Sequence, residues 1–467
     1  MNRAVRAHGF ALAAACGLVF VASTARAAEG EDDVELTADP APKAPARPSP
    51  TAESEPPPAV EMNVERAPFI TPAPPSAGSK TSPIQGVAVT GYVQGQYEAH
   101  ADSDDQLRQG GALINQDRFV LRRARVRVSG TWEYASALLE IDGNTVRGPA
   151  IGFQKAEASL HYRPYPNKLP IVQAAIGLFD APFGYELVES PRTRPFLERS
   201  QASRAFWPGE PDVGLRVAGA VGFARWTIAA LNGNPLGTPF ATQAPASAKD
   251  VVFRLGAEAH PFADLAIGGA ISALRGKGFH PGTDATKGTL EWHDQNEDGV
   301  VQPFELQALA PSAATPSQTF DHWAIGADLQ LHYRSRIGIT KVYGELLLAQ
   351  NMDRGMFVAD PVLTSVDSRE LGYYAGVTQE ITRYGIVGFR YDYYDPNSDA
   401  FDKRAGRLVP FSQAITTYSP MVGLVLPGRA RLIGQYDIVR NYLGRDVTGV
   451  PTNLKTNALT VRLQVEM

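Results

Sequence analysis

The sequence predicts an all-β fold: a sixteen-stranded antiparallel transmembrane β-barrel preceded by a signal peptide and a proline-rich disordered linker. Three observations predict it. From Val87 onward alternate residues are apolar, the alternating runs are long enough to cross a bilayer, and the connections between them alternate between long and short. Composition alone points elsewhere. The 467 residues are 44% hydrophobic and 20% charged, with a mean hydropathy of −0.18, which are values of a soluble protein. Membrane barrels average out in the same way, because each strand is polar on one face. A single cysteine excludes a disulfide framework and a cysteine-based zinc cluster. A net charge of −5 argues against nucleic acid as a partner.

The first element is a leader. In residues 1–27, Arg3 and Arg6 precede an apolar run from Phe10 to Ala22, and Ala25-Arg26-Ala27 gives a small-x-small cleavage site. The lone cysteine, Cys16, falls inside it. A rival reading makes Ala14-Ala15-Cys16 a lipoprotein site, against which apolar residues continue past Cys16. Residues 28–86 form the second element and hold 13 of the 36 prolines. Such a segment cannot bury enough apolar surface to order itself, so it reads as an extended, acidic periplasmic linker able to contact the cell wall. Of the total charge the leader carries +3 and the linker −6, which leaves −2 for residues 87–467.

The barrel, residues 87–467, is the third element. In 322–333, Trp323, Ile325, Ala327, Leu329, Leu331 and Tyr333 share one face, opposite His322, Asp328, Gln330 and His332. Trp323 and Tyr333 are ten residues apart. At about 3.3 Å per residue and a tilt near 40° they stand roughly 25 Å apart along the barrel axis, about the height of an outer-membrane apolar band. Sixteen candidate strands run from 87–98 to 455–467. Long connections follow Glu98, Asp142, Asp180, Asn232, Leu274, Gln350, Tyr394 and Val439, with short turns between them. A soluble sandwich has no reason to sort its loops in this way, whereas an outer-membrane barrel does. Both termini then fall on the short-turn, periplasmic side of a Gram-negative outer membrane, with lipid around the outside.

Strand 117–131 is rich in arginine. Arg123, Arg125 and Arg127 share one face, and Arg118 and Arg122 fall on the valine face nearer the outer end. Guanidiniums about 6.6 Å apart would each cost roughly 2–4 kcal/mol on a lipid face near the midplane, so the three belong in the lumen. There they form a positive ladder able to hold small anionic solutes. The other reading is that lumenal carboxylates such as Glu140, Asp142 and Glu157 neutralise them.

Arg122-Arg123-Ala124-Arg125-Val126, with Gly130 and then Leu139-Glu140-Ile141-Asp142, resembles an early hairpin of the phosphate-selective porin O and P family. The resemblance continues through Gly177-Leu178-Phe179-Asp180-Ala181-Pro182-Phe183-Gly184 and Phe196-Leu197-Glu198-Arg199-Ser200, and more weakly to Arg462-Leu463-Gln464. It implies a sixteen-stranded, homotrimeric outer-membrane porin whose third long loop folds inward to narrow the pore. Here that loop is 181–211, with Arg192, Arg194, Glu198, Arg199 and Arg204. Two departures stand out. The family usually carries lysine where this chain has Asp180, and it usually ends in an aromatic residue where this chain ends in Met467.

The connection 275–320 contains Asp294-Gln295-Asn296-Glu297-Asp298-Gly299-Val300-Val301-Gln302-Pro303-Phe304-Glu305, which fits the calcium-loop pattern D-x-[DN]-x-[DN]-G-x₅-E. Asp294, Asn296, Asp298, the Val300 carbonyl, Gln302 and bidentate Glu305 would supply oxygen ligands for Ca²⁺, and Gly299 the sharp turn. The bland reading is an acidic surface loop that matches by chance.

No catalytic pattern accompanies these features: no Walker loop, no H-E-x-x-H and no G-x-S-x-G. Strand histidines His161, His260 and His332 have no paired serine suggested by spacing. The expectation is a non-enzymatic porin for passive diffusion of small hydrophilic solutes, with anions such as phosphate foremost. The alternative is a structural or adhesive barrel, with a calcium-ordered surface loop and a linker touching the cell wall.

Overall fold

The computed structural model describes residues 87–467 apart from 102–116, 165–168, 209–210, 234–247, 297–298, 400, 405–406, 411–412, 427–429, 446–450 and 455. The expected signal peptide 1–27, with Cys16, and the linker 28–86 lie outside the described residues.

Sixteen antiparallel strands close into one barrel. In chain order they are Val87–His100, Arg118–Thr131, Ala135–Asn144, Ala150–Tyr162, Val172–Phe179, Asp212–Val221, Ala224–Leu231 and Asp250–Phe262, then Leu265–His280, Gln318–Arg334, Ile339–Gln350, Arg369–Ile381, Gly385–Asp395, Ile415–Leu426, Ala430–Arg440 and Ala458–Glu466. The first and last strands pair, Tyr92 opposite Glu466 and His100 opposite Ala458, so no edge is left open. The alternation of 322–333 becomes two faces: Leu329 is 63% exposed on the outside, whereas Gln330 beside it is fully buried inside. An apolar surface this extensive around the whole barrel needs a bilayer.

Two connections differ from the expected sorting. The second outer one shrinks to 145–149 because its flanking strands run further than their alternation indicated, and the turn 163–171 is longer. Beyond the rim on the long-connection side, Leu265–His280 and Gln318–Arg334 continue as a single projecting arm. Bridges at Thr283–Thr315 and Thr286–Ser312 lead into a hairpin of Thr289–Trp292 with Leu306–Leu309. Twelve residues separate Pro281 from Trp292 inclusive, so the arm reaches roughly 40 Å at about 3.3 Å per residue. The acidic twelve-residue motif is its tip.

The principal core lies inside the barrel. Phe179, Phe183, Phe206 and Trp207 pack against Ala229, Leu231, Val252, Leu274, Ala324, Leu347 and Ala349 of the wall. Small inward residues at 229, 324 and 349 leave the space that these aromatic rings fill.

Candidate functional site

The segment 181–207 occupies the lumen, because it bonds to strands all around the wall. Its Gly184 N–H donates to Ser272 Oγ (3.1 Å) and its Leu197 N–H to Gln435 Oε1 (3.0 Å). Arg462, Gln464 and Gln94, from the last and first strands, donate to the carbonyls of Leu197, Arg192 and Pro191. Gly184 of the Pro-Phe-Gly motif has φ +65°, and a side chain there would collide with the Glu345 carboxylate, so both conformation and contact require glycine. Phe183 and Trp207 pack with ring centroids 4.9 Å apart, and Tyr185, Phe196 and Leu197 form a second cluster with Tyr343 and Tyr374. Each such buried aromatic side chain contributes roughly 2 kcal/mol to holding the segment in place. A short helix, Gln201–Phe206, starts at Ser200, whose Oγ accepts the Ser203 N–H at 3.4 Å.

The arginine strand departs from simple alternation. Gln94 faces Arg123 but Gly95 faces Leu121, so Arg122 is the extra residue of a β-bulge. The bulge turns Arg122 inward as well. Its Nε and Nη2 donate to Glu198 Oε1 and Oε2 (2.9 and 3.1 Å). Arg123 donates to Glu198 Oε2 (3.1 Å) and Gln94 Oε1 (3.1 Å), and Arg462 to Glu198 Oε1 (2.6 Å). Arg118, past the bulge, donates to Glu98 at 2.9 Å. The valine-face placement of Arg118 and Arg122 is thereby corrected. Burial pushes the Glu198 carboxyl up, but Arg123, Arg122 and Arg462 outweigh it and hold the group well below 4.5.

Further along the strand the cations are matched by carboxylates. Arg125 donates to Glu140 (3.1 Å) and lies 3.5 Å from Asp142, and Arg127 Nε donates to Glu140 at 2.6 Å. Asp180 pairs with Lys155 (2.5 Å) on the neighbouring strand. In the loop, Arg192 faces Glu466 at 3.9 Å, Arg194 donates to the carbonyls of Glu186 and Glu189 (both 3.0 Å), and Arg199 donates to the Trp207 carbonyl (2.6 Å). Arg204 is exposed. Lys155, Arg462, the Arg390–Glu186 pair (3.0 Å) and the Arg216–Glu157 pair (2.7 Å) also belong to this interior. Each except Glu186 lies on the polar face of an alternating strand, the one signal that marks them.

At the arm tip, Asp294 Oδ2 accepts the Gly299 N–H (2.8 Å), with Gly299 at φ +71°. Glu305 is 2% exposed and turns its carboxylate into the loop, accepting from Gln295 N–H (3.1 Å), Gln302 N–H (3.2 Å) and Trp292 Nε1–H (2.9 Å). Asn296, Val300 and Gln302 lie in the same loop, and Asp298 lies outside the described residues.

No family model and no curated protein matches the chain. Solved structures do match its fold. OprB of Pseudomonas putida aligns at a TM-score of 0.50 with 11% identity, covering 82% of this chain and 94% of that one. An anion-selective porin from Comamonas acidovorans aligns at 0.48 and 11%, covering 81% and 98%. The outer membrane channel DcaP of Acinetobacter baumannii aligns at 0.48 and 9%, covering 82% and 97%. At such identities the likeness is one of fold: a closed, porin-like barrel of sixteen strands.

Proposed function

We propose that this barrel is an outer-membrane porin, a passive diffusion channel for small hydrophilic solutes that prefers anions such as phosphate. The observation that carries the reading is the imbalance at Glu198. One carboxylate faces the guanidiniums of Arg122, Arg123 and Arg462, so the loop that narrows the lumen is docked within a surplus of positive charge. The other wall cations named above are paired with carboxylates, which makes the preference modest rather than exclusive. The residues do no covalent chemistry: they set the field that a solute crosses.

The test is the single-channel reversal potential in planar bilayers under a KCl gradient. Anion preference is expected, and cation preference would overturn the charge argument. Absence of conductance would favour a structural or adhesive barrel. The same reading includes a homotrimer, periplasmic termini and Ca²⁺ at the arm tip. The Asp294 and Glu305 positions support the calcium site, since both carboxylates already gather the backbone of one loop.

A further inference from the structure

Loop 351–368 also reaches the lumenal core, and it is tightly held. Met352 is fully buried in the cluster that contains Phe206, Trp207 and Tyr394. Glu370 Oε1 accepts the N–H of Met352 (2.9 Å) and of Asp353 (3.3 Å). Asp353 Oδ1 accepts the N–H of Gly355 (3.1 Å) and Met356 (2.8 Å), and its Oδ2 accepts the Tyr394 hydroxyl (2.6 Å). Arg354 Nη2 donates to Asp250 Oδ2 (3.3 Å), whose Oδ1 meets His322 Nε2 (2.8 Å).

Held in this way, the loop points two donors at the lumenal helix. The N–H groups of Arg354 and Gly355 both donate to the Ala205 carbonyl, at 2.8 and 2.9 Å. Ala205 lies in the last turn of Gln201–Phe206, where carbonyls lack partners within the helix. The approach is backbone to backbone, since a Cβ on Gly355 would stand 2.5 Å from the Arg204 carbonyl oxygen. The opposite end of the helix is tied to the wall by the Gln201 N–H to Asp392 Oδ2 (2.7 Å).

We propose that loop 351–368 is a second constriction element: a clamp that holds helix Gln201–Phe206 in the lumen and so sets pore width, with Asp353 as the residue that positions it. The pore-width claim rests on the channel reading above, whereas the clamp itself is testable without it.

Two readouts decide. Asp353→Ala should raise unit conductance roughly 1.5-fold, because the lumen cross-section controls ion flow. Asp353→Asn keeps an acceptor for the two N–H groups and should stay near wild type. Independently, Ala205 is fully buried and Cys16 is the only cysteine, in the leader segment, so an Ala205→Cys variant reports docking by maleimide labelling. The thiol should be protected alone and react quickly once Asp353→Ala is added. Should Asp353→Ala fail to assemble, Tyr394→Phe, which removes only the hydroxyl on Asp353, carries both measurements. Assembly is checked by heat-modifiable gel migration. An assembled variant with wild-type conductance and a protected thiol overturns the clamp, even if its melting temperature falls. A wild-type barrel that does not conduct overturns the channel reading, and the labelling still decides the clamp.

Discussion

Arg122 and Arg123 are consecutive residues of one strand, and both donate to the carboxylate of Glu198. In a regular strand they would point to opposite faces. The bulge at Arg122 cancels that alternation and brings a lipid-side position into the lumen, where Arg462 completes a group of three cations around one anion. Loop 181–211 is therefore attached to the first-and-last-strand side of the barrel by charge, and to the opposite side by packed aromatic rings.

Glu198→Gln removes the anion and leaves three neighbouring guanidiniums facing each other. Breaking a buried ion pair from one side costs about 3–5 kcal/mol, and the 28% exposure of this side chain places the loss near the lower end. We expect a lower thermal midpoint for the folded barrel and a reversal potential shifted further toward anions. A variant with wild-type selectivity would show that this cluster does not face the conducting path.

The same variant has a defined pH dependence. The Glu198 carboxyl is depressed below its ordinary value of 4.5, so its stabilisation is fully present above that value and is lost as pH falls through the depressed one. The melting-temperature gap between wild type and Glu198→Gln should thus be unchanged from neutral pH down to about 5 and close only in stronger acid. A gap that closes already between pH 7 and 5 would contradict the arginine-held carboxylate.

The barrel was legible because a one-sided environment imposes period two on every strand, from Trp323 and His322 to Val465 and Gln464. The site was legible only in part. Arg123, Arg125 and Arg127 keep to the alternation, and Glu140 and Asp142, the carboxylate partners of Arg125 and Arg127, sit on the next strand. Arg122 was misplaced because a bulge adds a residue without a compositional mark. Arg462 lies 264 positions from Glu198, and no local pattern encodes that distance. The arm strands Thr289–Trp292 and Leu306–Leu309 were hidden for another reason: both of their faces are exposed, so alternation has nothing to sort.

Asp180 takes a position where the resembling family usually carries lysine, and here it pairs with Lys155 on the neighbouring strand. The positive charge is present but held by its neighbour. Asp180→Asn should release it and move the reversal potential toward anions, with a loss of stability toward the lower end of about 3–5 kcal/mol, because this pair is no more exposed than Glu198. An unmoved reversal potential would place Lys155 away from the solute path.

The arm tip offers an internal reporter for calcium. Trp292 donates its indole N–H to Glu305 Oε2, and Glu305 is the residue that a bound ion would take as a bidentate ligand. Binding would draw that carboxylate off the indole and change the tryptophan emission. We expect a saturable emission change on adding Ca²⁺ to the wild-type barrel, absent in Trp292→Phe because the reporter is gone. It should also be lost or much weakened in Asp294→Ala, because the first ligand and the Gly299 contact go together. The affinity should lie in the range of about 10⁻⁴–10⁻³ M found for extracellular modules, since the tip has strands rather than helices on either side. An identical titration in wild type and Asp294→Ala would sink the calcium assignment and leave the motif as an acidic turn at the end of a long hairpin.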